Sequence, residues 1–232
     1  MTDSVKIMPN SSPQQTKGPL VAALAYDGLC TFEFGIAYEV FGLPRPEMGE
    51  DWYRFSVCAI EPGPLRAAGG LTVAVDKGLE VLDEADLIVV PGWRAIDAPV
   101  PAPLGAALRA AHQRGARIMS LCSGVAVLAG SGLLANRRAT THWRYVASIA
   151  ARYPDIRLDA DVLYMDEGSL LTAAGVPPAL IFACMWCAAI SVRRLQTAWQ
   201  DGSSCRRTAK ADRRSSFTRR FPRSARASAW GR

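Results

Sequence analysis

The chain has 232 residues, half of them hydrophobic, and a formal net charge of +6. That length suits one domain with an appendage, or two small ones, and buries about 70% of the unfolded surface; no apolar run approaches the ~20 residues that cross a bilayer. The charge is unevenly placed: residues 1–190 carry 15 Lys/Arg against 19 Asp/Glu and residues 191–232 carry 12 against 2, so the body is mildly acidic and has no nucleic-acid surface written into it.

Residues 1–18 form a polar arm without the apolar centre of a secretory signal, which sets the expectation of a disordered arm on a cytoplasmic protein. Leu20–Ala25 reads as a fully buried strand ended by Tyr26-Asp27-Gly28. Thr31–Phe41 follows as a helix, with Phe34, Ala37, Tyr38 and Phe41 on one face and Glu33 in the first turn. Tyr53–Ile60 is a second strand closed by Pro62-Gly63-Pro64, and Leu71–Val75 a further one in a small hairpin. Leu87–Val90 is another buried strand, stopped by Pro91-Gly92-Trp93, and Leu104–Arg114 a helix capped by Gly115.

The next stretch, Ile118-Met119-Ser120-Leu121-Cys122-Ser123-Gly124-Val125-Ala126-Val127-Leu128, organises the rest. A β run passes through one cysteine and small neighbours into an apolar helix. A reactive side chain on a sharp strand-to-helix turn needs such neighbours, because the backbone there bends tightly. At a helix N-terminus the thiol is expected to titrate below its usual value of about 8.5 and to be the most reactive of the chain's thiols. The competing reading is a buried structural cysteine. Beyond it, Arg137–His142 reads as a short strand or turn, Trp143–Tyr153 as a helix, and Val162–Asp166 with Ser169–Thr172 as a hairpin turning on Glu167-Gly168. Buried strands alternating with helices predict an α/β domain with a mostly parallel sheet covered on both faces.

Val89-Val90-Pro91-Gly92, Leu121-Cys122-Ser123-Gly124 and Arg138-Ala139-Thr140-Thr141-His142-Trp143 occur in that order, with Glu33 and Tyr38-Glu39-Val40-Phe41-Gly42 upstream. Over about Leu20 to Gly175 they resemble the ThiJ/PfpI superfamily, with the class I glutamine amidotransferase-like fold. The likeness is greatest to the N-terminal domain of AraC-type transcriptional regulators that carry this domain. The resemblance implies a three-layer flavodoxin-like sandwich with a nucleophile elbow. It makes Cys122 the elbow nucleophile, places Glu33 against its sulfur, and puts His142 where some members have a triad histidine. It also builds an oxyanion or ligand pocket from Gly92, Trp93, Ser123 and Gly124, with the Trp93 and Ser123 N–H groups as donors. A tryptophan at 93, where many members have a second glycine, would narrow that pocket. From the residues alone Glu33 also fits a helix-dipole residue, and His142 also fits a turn anchor.

After Gly175 the pattern departs from the family. Pro177-Pro178 interrupts, Ala179–Ile190 is apolar on every face, and the basic end lacks the aliphatic content to build a core. The expected organisation is therefore an arm over 1–18, the ThiJ/PfpI-like domain over 19–175, and an aberrant apolar and basic segment over 176–232 without a helix-turn-helix pattern. Such a change reads as a reading frame lost near residue 176, a truncated gene, or a natural basic tail. The six cysteines show no framework spacing, so reduced thiols are expected; Cys184-Met185-Trp186-Cys187 is a lone CxxC, more often chance than a redox pair. With two histidines neither a metal site nor a cofactor is expected. Three readings follow: a ligand-sensing regulator domain missing its DNA-reading half, a cysteine-dependent hydrolase, isocyanide hydratase or glyoxalase-like lyase, or a defective remnant with neither activity. The first is the leading reading and makes the chain no enzyme. The partners expected are a small-molecule ligand and a second copy in a homodimer, with no membrane and no sequence-specific DNA contact.

Overall fold

The computed structural model describes residues 18–46 and 52–175. Its elements are β1 (Leu20–Ala25), α1 (Thr31–Ala37) running on as a π-helical turn over Tyr38–Gly42, β2 (Arg54–Ala59), β3 (Leu65–Arg66), β4 (Thr72–Val73), β5 (Leu87–Pro91), α2 (Ala102–Arg114), β6 (Arg117–Leu121), α3 (Val125–Gly130), β7 (Arg138–Ala139), α4 (Val146–Arg152), β8 (Arg157–Leu158), β9 (Tyr164–Asp166) and β10 (Leu170–Ala173). Six strands form one sheet in the order β2-β1-β5-β6-β10-β9. Every pairing is parallel except β10 with β9. This is the mostly parallel α/β sheet of a flavodoxin-like fold.

The strand pleat divides the core in two. Ala22, Leu24, Ile88, Val90, Ile118 and Leu170 face a cluster covered by α2, α3 and α4, through Leu104, Leu108, Val125, Leu128 and Ile149. Val21, Ala23, Leu87, Val89, Met119 and Leu171 face the other side, where Ile36, Ala37, Val40 and Phe41 of α1 and its π-turn lie. Strands buried on both faces have no polar side, and this is why they read in the sequence as unbroken apolar runs. Burying a side chain such as Leu24 or Ile88 in this way contributes roughly 2 kcal/mol. In α2 the buried Leu104, Leu108 and Ala111 make one stripe, and Gly115 closes the helix at φ 102 in the left-handed region.

Some elements differ from the sequence expectation. The strand expected over Leu71–Val75 is two residues long and pairs antiparallel with Leu65–Arg66. The expected helix Trp143–Tyr153 is a 3-10 turn, Trp143–Tyr145, followed by α4. Arg138–Ala139 does become a strand, and its partner is Arg157–Leu158, far away in sequence. The turn at Glu167-Gly168 takes in Ser169 as well, with the Glu167 N–H donating to the Leu170 carbonyl at 2.9 Å. The arm before residue 18 and everything after 175 lie outside the described residues.

Candidate functional site

The site forms at the carboxyl ends of three neighbouring strands, β1, β5 and β6, where open α/β sheets receive ligands. At the end of β6 the chain reaches Cys122, which holds φ 53. A left-handed backbone at a non-glycine residue costs about 1–2 kcal/mol. The neighbours make the bend possible. At Gly124 a Cβ would lie 2.5 Å from the Val90 carbonyl oxygen and 3.2 Å from the Gly92 nitrogen. At Gly92, itself at φ +79, a Cβ would lie 2.7 Å from Cys30 Sγ. Both positions therefore require glycine, and the turns after β5 and β6 pack backbone against backbone.

Hydrogen bonds lace these two turns together. The Gly92 N–H donates to the Leu121 carbonyl at 3.1 Å. The Trp93 N–H donates to Ser123 Oγ at 2.9 Å, and the Ser123 hydroxyl reaches the Trp93 carbonyl at 3.3 Å. The Trp93 N–H, expected to serve a ligand oxygen, thus already has a partner within the protein. The indole is 2% exposed; it packs at a tilt against the Tyr26 ring, centroids 5.0 Å apart, and donates Nε1–H to the Ala98 carbonyl at 3.2 Å. Arg94 lies over it, 4.7 Å from the ring centroid, and pairs with Glu61. Tyr26 donates its buried hydroxyl to the Pro91 carbonyl at 2.9 Å, which fixes the start of the same turn.

Glu33, in the first turn of α1, is half-buried and within electrostatic reach of Cys122. Burial first, then the Glu33 charge, pushes the Cys122 thiol up to about 12, against the downward pull of the Ser123 N–H. Desolvation and a carboxylate outweigh the turn's N–H groups, so the push is opposite in direction to the drop expected at a helix N-terminus. Cys30 shares the site without having been singled out in the sequence. Its Sγ approaches the Trp93 carbonyl at 3.8 Å, and its thiol is also raised, chiefly by burial. The signal for it was its place three residues before Glu33, at the end of the β1 turn.

The Arg138–Trp143 motif reaches the elbow through Thr141. Thr141 donates its hydroxyl to the Cys122 carbonyl at 2.8 Å. His142 instead caps the following turn, its Nδ1 accepting the Arg144 N–H at 3.2 Å, with its ring 5.3 Å from that of Trp143. Among the described residues no group of three or more His, Cys, Asp or Glu side chains is placed to hold a metal ion. No helix among them is long and apolar enough to cross a membrane.

A mostly parallel sheet with a left-handed cysteine at the end of a central strand, and a carboxylate from the first helix facing it, defines a flavodoxin-like domain with a nucleophile elbow. The chain belongs to the DJ-1/PfpI family, whose profile matches residues 21–188; the match runs past Gly175, where the motifs stop. It is 37% identical to the uncharacterized protein in the cpoL 5' region of Streptomyces lividans, over 60% of this chain and 99% of that protein. It is 36% identical to the HTH-type transcriptional regulator CdhR of Pseudomonas aeruginosa, over 54% of this chain and 37% of that regulator. The match therefore spans little more than a third of the regulator's length. The fold also matches the crystal structure of an AraC family transcriptional regulator from Pseudomonas putida, with a TM-score of 0.60 at 22% identity, covering 71% of this chain and 88% of that one.

Proposed function

We propose that residues 19–175 are a ligand-sensing DJ-1/PfpI-type domain of an AraC-type transcriptional regulator, acting in the cytoplasm as a homodimer that binds a small molecule beside Cys122. The likeness to transcriptional regulators supports the class. One observation at the site favours sensing over catalysis. The Trp93 N–H that an oxyanion would need is held by Ser123 Oγ at 2.9 Å. A nucleophilic enzyme needs an activated thiolate and preorganised donors aimed at the developing charge; here burial and Glu33 both push the thiol's titration upward. The basic residues beyond 190, 12 Lys/Arg against 2 Asp/Glu, would contact nucleic acid through phosphates, without reading sequence and with strong salt dependence.

A second reading, a cysteine-dependent hydrolase or lyase, is favoured by the strained φ 53 at Cys122 with a carboxylate beside it. Thermal-shift screening of small polar metabolites against the wild type and Cys122→Ala separates the two. Sensing predicts a ligand that stabilises both proteins, by about 2.7 kcal/mol at a hundredfold excess over Kd, and is returned unchanged by mass spectrometry. Consumption of the ligand by the wild type but not by Cys122→Ala would establish the enzyme.

A further inference from the structure

Within the Arg138–Trp143 motif, Thr141 touches the elbow directly. Its side chain is buried, 1% exposed, and its hydroxyl donates to the Cys122 carbonyl at 2.8 Å. That carbonyl belongs to the one residue of the turn held at positive φ without being glycine. The rest of the turn is fixed from elsewhere: Ser123 by Trp93, Gly124 by its contact with the backbone after β5. Thr141 in turn stands on a firm base. The Thr140 N–H donates to Thr172 Oγ1 at 2.9 Å and the Thr140 hydroxyl to the Val162 carbonyl at 3.2 Å. Thr172 lies in β10 opposite Ser120 of β6, two residues before the cysteine. A short loop of contacts thus runs from β6 across to β10, through Thr140 and Thr141, and back to the carbonyl of Cys122, the residue after β6.

We propose that Thr141 is a positioning residue for the Cys122 thiol: its hydroxyl holds the Cys122 peptide in the left-handed conformation and so keeps the half-buried sulfur beside Glu33. A left-handed L-residue relaxes to negative φ unless its surroundings over-determine it. Turning the peptide would swing the side chain to the other side of the backbone, away from both the carboxylate and the burial that hold its proton. Thr141 acts through the backbone and touches no reacting atom. The inference deepens the sensing reading, since it names what sets the protonation of the thiol beside the ligand.

The test is the rate of Cys122 alkylation by iodoacetamide between pH 7 and 11, followed by peptide mass spectrometry, with Cys30 as internal reference. Thr141→Val removes the hydroxyl and nearly keeps the shape; Thr141→Ser keeps the hydroxyl. In Thr141→Val the Cys122 profile moves to lower pH by a unit or more, so labelling at pH 8 is about tenfold faster or greater, each unit being tenfold in thiolate. Thr141→Ser stays within about twofold of wild type, and Cys30 is unmoved in both. Thr141→Ala, which admits water to the carbonyl, is read in the same way should the valine variant fail to fold by circular dichroism. A valine or alanine profile superimposed on wild type would overturn the proposal. So would a serine profile displaced as far as the valine one, because that effect would belong to packing. Failure of the thermal-shift screen to find a ligand would count against sensing and leave this comparison of profiles standing.

Discussion

Cys58 and Cys122 carry the same thiol, and both are pushed up to about 12, but the two regions arrive there differently. Cys58 lies inside β2 with no exposed surface. Its S–H points at the Ala23 carbonyl 3.7 Å away, and burial dominates its shift, with Glu80 adding to it. Cys122 is half-buried at the carboxyl end of β6, at φ 53, with Glu33 and the Ser123 N–H pulling its proton in opposite directions. A displaced titration therefore does not by itself mark a site. Backbone strain and opposed polar neighbours distinguish the thiol that a ligand could influence from the one that merely fills space.

The largest effect should come from the turn itself. Gly124→Ala places a Cβ against backbone at 2.5 Å, and the fold should lose about 3 kcal/mol, near the upper end for overpacking. In β2, Cys58→Ala removes one small buried side chain and should cost about 1 kcal/mol. Urea denaturation measures both. Equal losses would mean that the elbow packs no more tightly than an ordinary strand.

A smaller effect concerns pH. Both thiols have folded values above the unfolded value of about 8.5, so the folded chain keeps protons that the unfolded chain releases. Their contribution to stability is complete below about 8.5 and fades as pH rises toward about 12. The urea midpoint should thus fall progressively above pH 9, and more gently in Cys122→Ala and in Cys58→Ala than in wild type. A slope that Cys58→Ala changes and Cys122→Ala leaves alone would mean that Cys122 has an ordinary titration.

Much of this arrangement could be read from the residues. Leu20–Ala25 and Leu87–Pro91 are buried strands because both faces of the sheet are covered, and an unbroken apolar run states that directly. The small residues around Cys122 pointed to the bend, and Gly92 and Gly124 are positions where a Cβ has no room. Three features were not legible. The Arg138–Trp143 motif does not reveal which side chain turns inward, since Thr140 is seated by Val162 and Thr172, 22 and 32 residues downstream. The pairing of the Trp93 N–H with Ser123 Oγ depends on how closely two turns approach across adjacent strands. The sign of the Cys122 shift rests on a balance of burial, carboxylate and N–H that spacing along the chain does not encode.

The most direct measurement is the pH dependence of Cys122 alkylation in wild type beside Glu33→Gln, resolved by peptide mass spectrometry. A thiol kept neutral by burial and Glu33 predicts a wild-type profile still rising above pH 10, since its midpoint lies at about 12. In Glu33→Gln the carboxylate's charge is gone, so the profile should move to lower pH while those of Cys30 and Cys58 keep their order. A wild-type midpoint at or below about 8.5, unmoved by Glu33→Gln, would contradict the account and make Cys122 an activated nucleophile.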